Sequence, residues 1–206
     1  MDTNKNTLST EVDRKIKLIA NSFGLDKVVL DELLSKHVST NLGGVAKLFF
    51  AAFNSSEIIR MVNMARGLKV PVLIFGSGTK MLISENGFDG VAIKNRTSKM
   101  TVVGVKGKIQ NRGVGVDEAL IEVDSGVLVS KLVEFLKGHG LTFEQLENTS
   151  GTLGGNLFLN KDLLQICQSV KVIDEDGEIE DIEKNELSLR KHIILSAVFK
   201  CKTRIL

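Results

Sequence analysis

The sequence predicts a mixed fold of helices and strands, arranged as one domain or two small ones, and three observations carry that expectation. The first is size and composition: 206 residues, 43% hydrophobic and 25% charged, with a net charge of +2. A chain of that length buries roughly 70% of its unfolded surface without a disulfide or metal staple. The second is apolar residues at helical spacing in three segments, 10–24, 54–67 and 128–138. The third is a set of strand-length apolar or alternating runs, at 70–75, 90–93, 120–123, 170–179 and 193–200. This composition disfavours disorder and a collagen-like repeat. No run approaches the roughly 20 consecutive apolar residues of a spanning helix. The polar start Met1-Asp2-Thr3-Asn4-Lys5-Asn6 lacks the apolar core of a secretion signal, so a cytoplasmic location with no membrane partner is expected.

Taken in order, Thr10 to Gly24 carries Val12, Ile16, Ile19 and Phe23 on one stripe, with Thr10 placed to cap and Gly24 placed to stop the helix. It is expected as an N-terminal appendage. Asn54 to Gly67 repeats the grammar: Asn54, Ser55 or Ser56 caps a helix bearing Ile58, Ile59, Val62 and Ala65, and Gly67 ends it. Val70 to Phe75 is a continuous apolar run, which reads as a strand covered on both faces. Gly90 to Ile93 and Leu120 to Val123 read as further strands, and Leu128 to Gly138 as a helix with Val129, Leu132, Val133 and Leu136 inward. Val170 to Ile179 alternates on either side of Asp176-Gly177, a hairpin signal, with the acidic residues from Asp174 to Glu186 on its solvent face. Ile193 to Lys200 then closes the sheet.

Between the second and third strands, Lys94, Arg96, Lys99, Lys106, Lys108 and Arg112 follow one another with no acidic residue among them. A solvated hairpin rim is the preferred reading over a nucleic-acid surface, because no aromatic residues interleave with the charges to stack on bases. The two cysteines, Cys167 and Cys201, form no Cys-x-x-Cys pair, and with only His37, His139 and His192 elsewhere they make no recognisable zinc site. Both read as small buried hydrophobes.

The residues that point to chemistry are glycines. Thr40-Asn41-Leu42-Gly43-Gly44, Gly76-Ser77-Gly78-Thr79-Lys80 and Ser150-Gly151-Thr152-Leu153-Gly154-Gly155-Asn156 are three clusters in a chain with one proline. Glycines after a strand let the backbone curl until several N–H groups converge, and added Ser, Thr or Lys donors complete a cradle for a pyrophosphate. Neither a Walker loop nor a Rossmann fingerprint is present, since Gly76-x-Gly78 lacks the third glycine and the following helix.

The order of these clusters resembles a known family. Leu33 to Thr40 leading to Gly43-Gly44, then Val70 to Thr79, then Gly87-Phe88-x-Gly90, then Gly151-Thr152-Leu153-Gly154-Gly155 with Asn160, looks like UDP-N-acetylenolpyruvoylglucosamine reductase. This flavoprotein of peptidoglycan and cell-wall synthesis is also called UDP-N-acetylmuramate dehydrogenase. The resemblance covers about residues 33 to 202. It implies an α+β, two-lobed FAD-binding fold of the vanillyl-alcohol oxidase or PCMH type, with FAD between the lobes. Residues 1–32 would form a helical extension, 33–95 the first lobe and 96–206 the second. The implied cofactor contacts are Gly43 and Gly44; Gly76, Ser77, Gly78, Thr79 and Lys80; and Ser150, Gly151, Thr152, Gly154, Gly155 and Asn160. FAD is expected to be noncovalent, because neither loop contains a histidine, and NADPH is the reductant that the resemblance suggests.

The sequence also departs from that family. The reductases carry a third domain that supplies a proton-donating Ser and a Glu near the chain end, and this sequence reaches Leu206 just after the expected last strand. Of the family's Tyr-Arg-x-Ser motif only Arg190 is a candidate, in Leu187-Ser188-Leu189-Arg190-Lys191-His192. The usual Gly-Gly-Gly-Ser-Asn is Gly76-Ser77-Gly78-Thr79-Lys80, and the usual Gly-Ile-Pro is Asn148-Thr149-Ser150. Two readings follow. In one, the chain is an FAD-binding oxidoreductase or half of one, either completed by a separately encoded substrate domain or using different chemistry. In the other, it is a non-catalytic form of the fold that serves as a binding or interaction module.

Overall fold

The computed structural model describes residues 3–110, 113–142, 146 and 148–203. The chain divides into two units, Met1–Arg96 and Thr97–Leu206.

In the first unit, helix α1 (Thr3–Phe23) precedes strand β1 (Val28–Leu33), a 3₁₀ turn (Leu34–His37) and β2 (Val45–Ala52). Helix α2 (Ser55–Gly67), β3 (Val72–Phe75) and β4 (Phe88–Asn95) complete it. The sheet order is β1-β2-β4-β3. β1 runs antiparallel to β2, and β2, β4 and β3 run parallel. Such a sheet needs cover on both faces. Helices α1 and α2 pack on one face. On the other, Leu34, Val38, Phe49, Phe75 and Ala92 form a core with Met81, Ile83 and Phe88 against it.

Helix α1 starts seven residues before the expected Thr10 cap and stops where foreseen, because Gly24 takes a φ of 107° and its N–H returns to Ala20 O at 3.0 Å. The segment expected as an appendage has Ile16, Ile19, Ala20 and Phe23 buried, and Asp13 holds Lys47 of β2 at 3.0 Å. At α2, Asn54 Oδ1 accepts from Glu57 N at 2.9 Å while Glu57 Oε2 accepts from Phe53 N at 2.8 Å, which satisfies two donors at the helix entry. The helix ends at Gly67 as expected, but the left-handed position falls on Lys69, at φ 55°. β3 has α2 on one face and the core of Leu73 and Phe75 on the other, as expected, but Val72, Leu73 and Ile74 are only partly buried because β3 is the sheet's edge.

The second unit opens with β5 (Met100–Gln110) and β6 (Gly113–Asp124), followed by α3 (Val129–Gly138) and β7 (Leu141–Thr142). Short helices α4 (Leu153–Leu159) and α5 (Lys161–Ile166), β8 (Cys167–Ile173), β9 (Ile179–Glu183) and β10 (Ile193–Thr203) follow. The order is β5-β6-β10-β8-β9 with antiparallel pairs, and β7 joins β10. β6 shows the period of two that such a sheet requires. Ala119, Ile121 and Val123 point into a core with Leu132, Leu136, Leu153, Leu157 and Phe199, while Glu118, Glu122 and Asp124 alternate outward. β10 closes the chain but lies in the middle of the sheet. Lys94 belongs to β4, Lys99 and Lys106 flank or lie in β5, and Arg112 and the side chain of Lys108 are outside the described residues.

Candidate functional site

The Gly76–Lys80 loop leaves the carboxyl end of β3, beside the carboxyl ends of β2 and β4. In open sheets with parallel strands, ligands bind at that edge because the connecting loops diverge there. Gly78 holds the turn at φ 70°, and a side chain on it would place Cβ 2.7 Å from Val38 Cα. Its carbonyl accepts Ser39 Oγ at 3.2 Å. The loop is thereby fastened to residues 38–39 on one side, while the Ser77 and Thr79 hydroxyls, 3.1 Å apart, and Lys80 lie on its outer side, with Thr79 and Lys80 exposed. Among the described main-chain bonds outside regular elements, none uses the N–H of Ser77, Gly78 or Thr79. Three adjacent donors and two hydroxyls suit the oxygens of a diphosphate, so the residues present fit that part of FAD.

Gly43 and Gly44 have a different reason to be glycine. Gly43 lies at φ 142° against Ile83, and a Cβ on Gly44 would sit 2.2 Å from Glu85 O. Gly44 N donates to Ser84 O at 2.9 Å and Gly44 O accepts from Leu34 N at 3.0 Å. Both glycines are buried where residues 42–45 cross residues 83–87.

In the second unit, Gly151 turns at φ 95° and its carbonyl accepts Val129 N at 3.0 Å. Leu128 and Thr152 form an antiparallel bridge. Leu153 N donates to Val127 O and Gly154 N to Ser125 O, each at 2.8 Å. A Cβ on Gly154 would lie 3.0 Å from Ser125 Cβ, so this glycine lets α4 approach the 125–128 turn. Buried Asn156 braces the loop from below, with Nδ2 donating to Ser150 O and Thr152 O at 2.9 Å. Gly155 and Ser150 remain exposed. Asn160 caps α5, its Oδ1 accepting from Asp162 N at 3.0 Å and Leu163 N at 3.1 Å.

Arg190 is exposed in the turn before β10, where Ser188 N donates to His192 Nδ1 at 3.2 Å and Lys191 Nζ lies 4.0 Å from Glu175. No described contact ties Arg190 to residues 150–156 of its own unit. Cys167 and Cys201 are buried, and burial pushes their thiols up to about 11 and about 12, which keeps them protonated and inert at neutral pH.

Sequence reasoning missed the residues that support the loops. Lys94 was grouped with a hairpin rim, yet it sits on β4 opposite Phe75, and its Nζ donates to His37 O at 3.2 Å. His37 stacks on Phe49 with ring centroids 4.1 Å apart and places Nε2 2.9 Å from Glu32. The parity of β4 was the available signal: Ala92 and Lys94 share one face, and only the first of them is apolar.

The comparisons with known proteins agree with this geometry. The chain is 26% identical over 180 residues to UDP-N-acetylenolpyruvoylglucosamine reductase of Clostridium perfringens, covering 84% of this chain and 55% of that protein. It is 27% identical over 202 residues to the Clostridium tetani reductase, covering 90% and 61%. The chain spans little more than half the length of these curated relatives. The structure of the Thermus caldophilus reductase matches with a TM-score of 0.62 at 19% identity, over 87% of this chain and 63% of that one. 4-Ethylphenol oxidase from Gulosibacter chungangensis matches at 0.64 with 14% identity, over 94% and 43%. At such identities the structures establish the fold, and it is the expected α+β fold of the vanillyl-alcohol oxidase and PCMH type. The family model described as FAD binding domain matches residues 46–183. On that match, which runs from β2 through β9, the chain belongs to the FAD binding domain family.

Proposed function

We propose that this FAD-binding chain holds its cofactor noncovalently through the Gly76–Lys80 loop. One observation carries the assignment: the main-chain donors of Ser77, Gly78 and Thr79 have no main-chain partner among the described bonds, while their loop is locked in place through Val38 and Ser39. Preorganised N–H groups lose little entropy when an anion arrives, and a diphosphate presents enough oxygens to engage them together. Ser77 and Thr79 would add hydroxyl donors. Ser150, Gly151, Thr152, Gly155 and Asn160 are retained as further cofactor residues on the strength of the reductase resemblance. Gly154 serves there by letting α4 lie close to Ser125.

When bound, FAD supplies two-electron redox chemistry, and NADPH is the reductant that the resemblance to the reductases implies for it. This chain's own residues bind and orient, and the proton donor is expected outside these 206 residues. The competing reading, a binding module with no redox role, is favoured by the exposed position of Arg190. Purified protein that carries flavin, released intact by heat and then bleached by NADPH, supports the oxidoreductase reading. Flavin that NADPH cannot bleach supports the binding module, and failure to bind FAD at all overturns the assignment of the loop.

A further inference from the structure

Strands β3 and β4 bring an unused cation to the cofactor loop. Phe75, the last residue of β3, is in register with Lys94 of β4, and the Gly76–Lys80 loop begins at the next residue. The amine of Lys94 donates to His37 O at 3.2 Å, while Val38 and Ser39, the next two residues, carry the contacts that hold Gly78. Lys94 and the loop are therefore anchored on the same three-residue segment. Arg96 lies two residues further on, just past the end of β4, with its N–H donating to Ala52 O at 2.8 Å and its guanidinium 5.6 Å from the Phe53 ring.

Neither cation forms an ion pair with a carboxylate among the described residues. Glu32, the carboxylate of this corner, is engaged by His37 Nε2 at 2.9 Å and Lys36 Nζ at 3.6 Å. Lys94 is partly buried, and burial followed by repulsion from Arg96 pulls its amine below the usual lysine range. Two neighbouring cations without a carboxylate partner among the described residues carry an energetic cost, and a bound anion relieves it. We propose that Lys94, assisted by Arg96, is the counter-charge for the FAD diphosphate held at the Gly76–Lys80 loop. The inference rests on the proposed function, and it adds a residue of β4 that lies outside every glycine cluster. A single hydrogen bond to His37 O leaves two of the three ammonium donors for phosphate oxygens.

FAD and riboflavin, which lacks phosphate, would be titrated by flavin fluorescence against wild type, Lys94→Gln, Lys94→Arg and Arg96→Gln. The expected result is FAD affinity about tenfold weaker in Lys94→Gln and within about threefold of wild type in Lys94→Arg, as a charge-assisted hydrogen bond implies. Arg96→Gln should weaken FAD by a smaller factor, and riboflavin binding should not change in any variant. Equal FAD affinity in wild type and Lys94→Gln overturns the inference and leaves the cofactor loop standing, as does a parallel loss of FAD and riboflavin. A wild type that binds no FAD removes both. Should Lys94→Gln fail to fold, exposed Arg96 decides: a loss confined to FAD supports the pair, and no loss overturns it.

Discussion

A glycine can be required by a ligand or by a neighbouring stretch of backbone, and the three glycine clusters of this sequence mix the two. Gly44 and Gly78 would each drive a Cβ into main-chain atoms, at 2.2 Å and 2.7 Å, so both are packing glycines. Gly78 also sits at φ 70°. Gly78→Ala is therefore expected to lower stability by roughly 2–4 kcal/mol, from left-handed strain and overpacking together, in a denaturant melt of the FAD-free protein. A loss under about 0.5 kcal/mol would show that residues 38 and 78 do not touch. A carboxylate at position 78 is thus a poor probe of the cofactor, because it unsettles the loop first. Ser77→Asp is the better one, and about tenfold weaker FAD binding with an unchanged melt is expected from charge repulsion.

Glu122 and Asp124 provide a pH test at the same scale. Ser196 Oγ donates to Glu122 at 2.8 Å and Lys171 lies at 3.5 Å, which holds the Glu122 carboxyl below the usual range. Burial pushes Asp124 the other way, aided by Glu122 beside it and opposed by its bond from Lys99 N at 2.9 Å. The folded state thus favours ionised Glu122, and this contribution is present above the ordinary glutamate value of 4.5 and is lost as pH falls through the depressed folded value. Asp124 has the opposite sign, since the fold favours its proton. Glu122→Gln should shrink the loss of stability on acidification below pH 4.5, whereas Asp124→Asn should raise the melting temperature at pH 7 and change little at pH 3. Parallel melts of the two variants that shift together would contradict the assignment.

Among the elements, those whose sequence grammar is local were the legible ones. Asn54, one of three candidate caps, announced α2, Asp176-Gly177 announced the β8–β9 turn, where Gly177 takes φ 90°, and Gly24 announced the end of α1. What stayed hidden depends on tertiary neighbours. Val45 to Ala52 has a lysine among its apolar residues, which blurs the strand pattern, yet it becomes interior strand β2 with β1 and β4 on either side. Helix α4 begins inside a glycine cluster, against helix propensity, because Asn156 and the 125–128 turn hold its first residues. Asn156→Leu is expected to cost about 2–4 kcal/mol by leaving buried carbonyls less well satisfied. Faster amide exchange should appear at residues 150–156 ahead of the rest of the second unit, and uniform exchange across that unit would show that Asn156 does not brace the loop. The candidate site was legible as a loop but not as a surface, since the register that puts Lys94 beside Phe75 is nowhere visible in sequence order.

At the scale of the molecule, binding FAD and carrying out a reductase cycle need different inventories. The chain is suited to the first, with a loop at a sheet edge whose main-chain donors have no described main-chain partner and membership of the FAD binding domain family. The cycle further needs a hydride delivered to one substrate carbon and a proton delivered to its neighbour by a positioned acid, which is worth about 10²–10⁴-fold. The family's Ser and Glu for that step have no counterpart in the resemblance to this sequence, and Arg190 sits on an exposed turn without the neighbouring Tyr. Substrate positioning is a separate requirement, since uncontrolled geometry raises the barrier by several kcal/mol, and the 206 residues span 55% of the Clostridium perfringens reductase. The 206-residue chain is therefore expected to bind FAD and accept electrons from NADPH, yet not to pass them to UDP-N-acetylenolpyruvoylglucosamine at an enzymatic rate. Anaerobic reduction followed by addition of that substrate tests it directly, with the visible flavin absorption as the readout. Flavin that stays bleached until oxygen is admitted is the expected result, and Arg190→Ala should leave the bleaching rate unchanged. Rapid recovery on substrate alone would show that the two units contain an acid and a substrate site of their own, and Arg190→Ala would then reveal whether that arginine serves it.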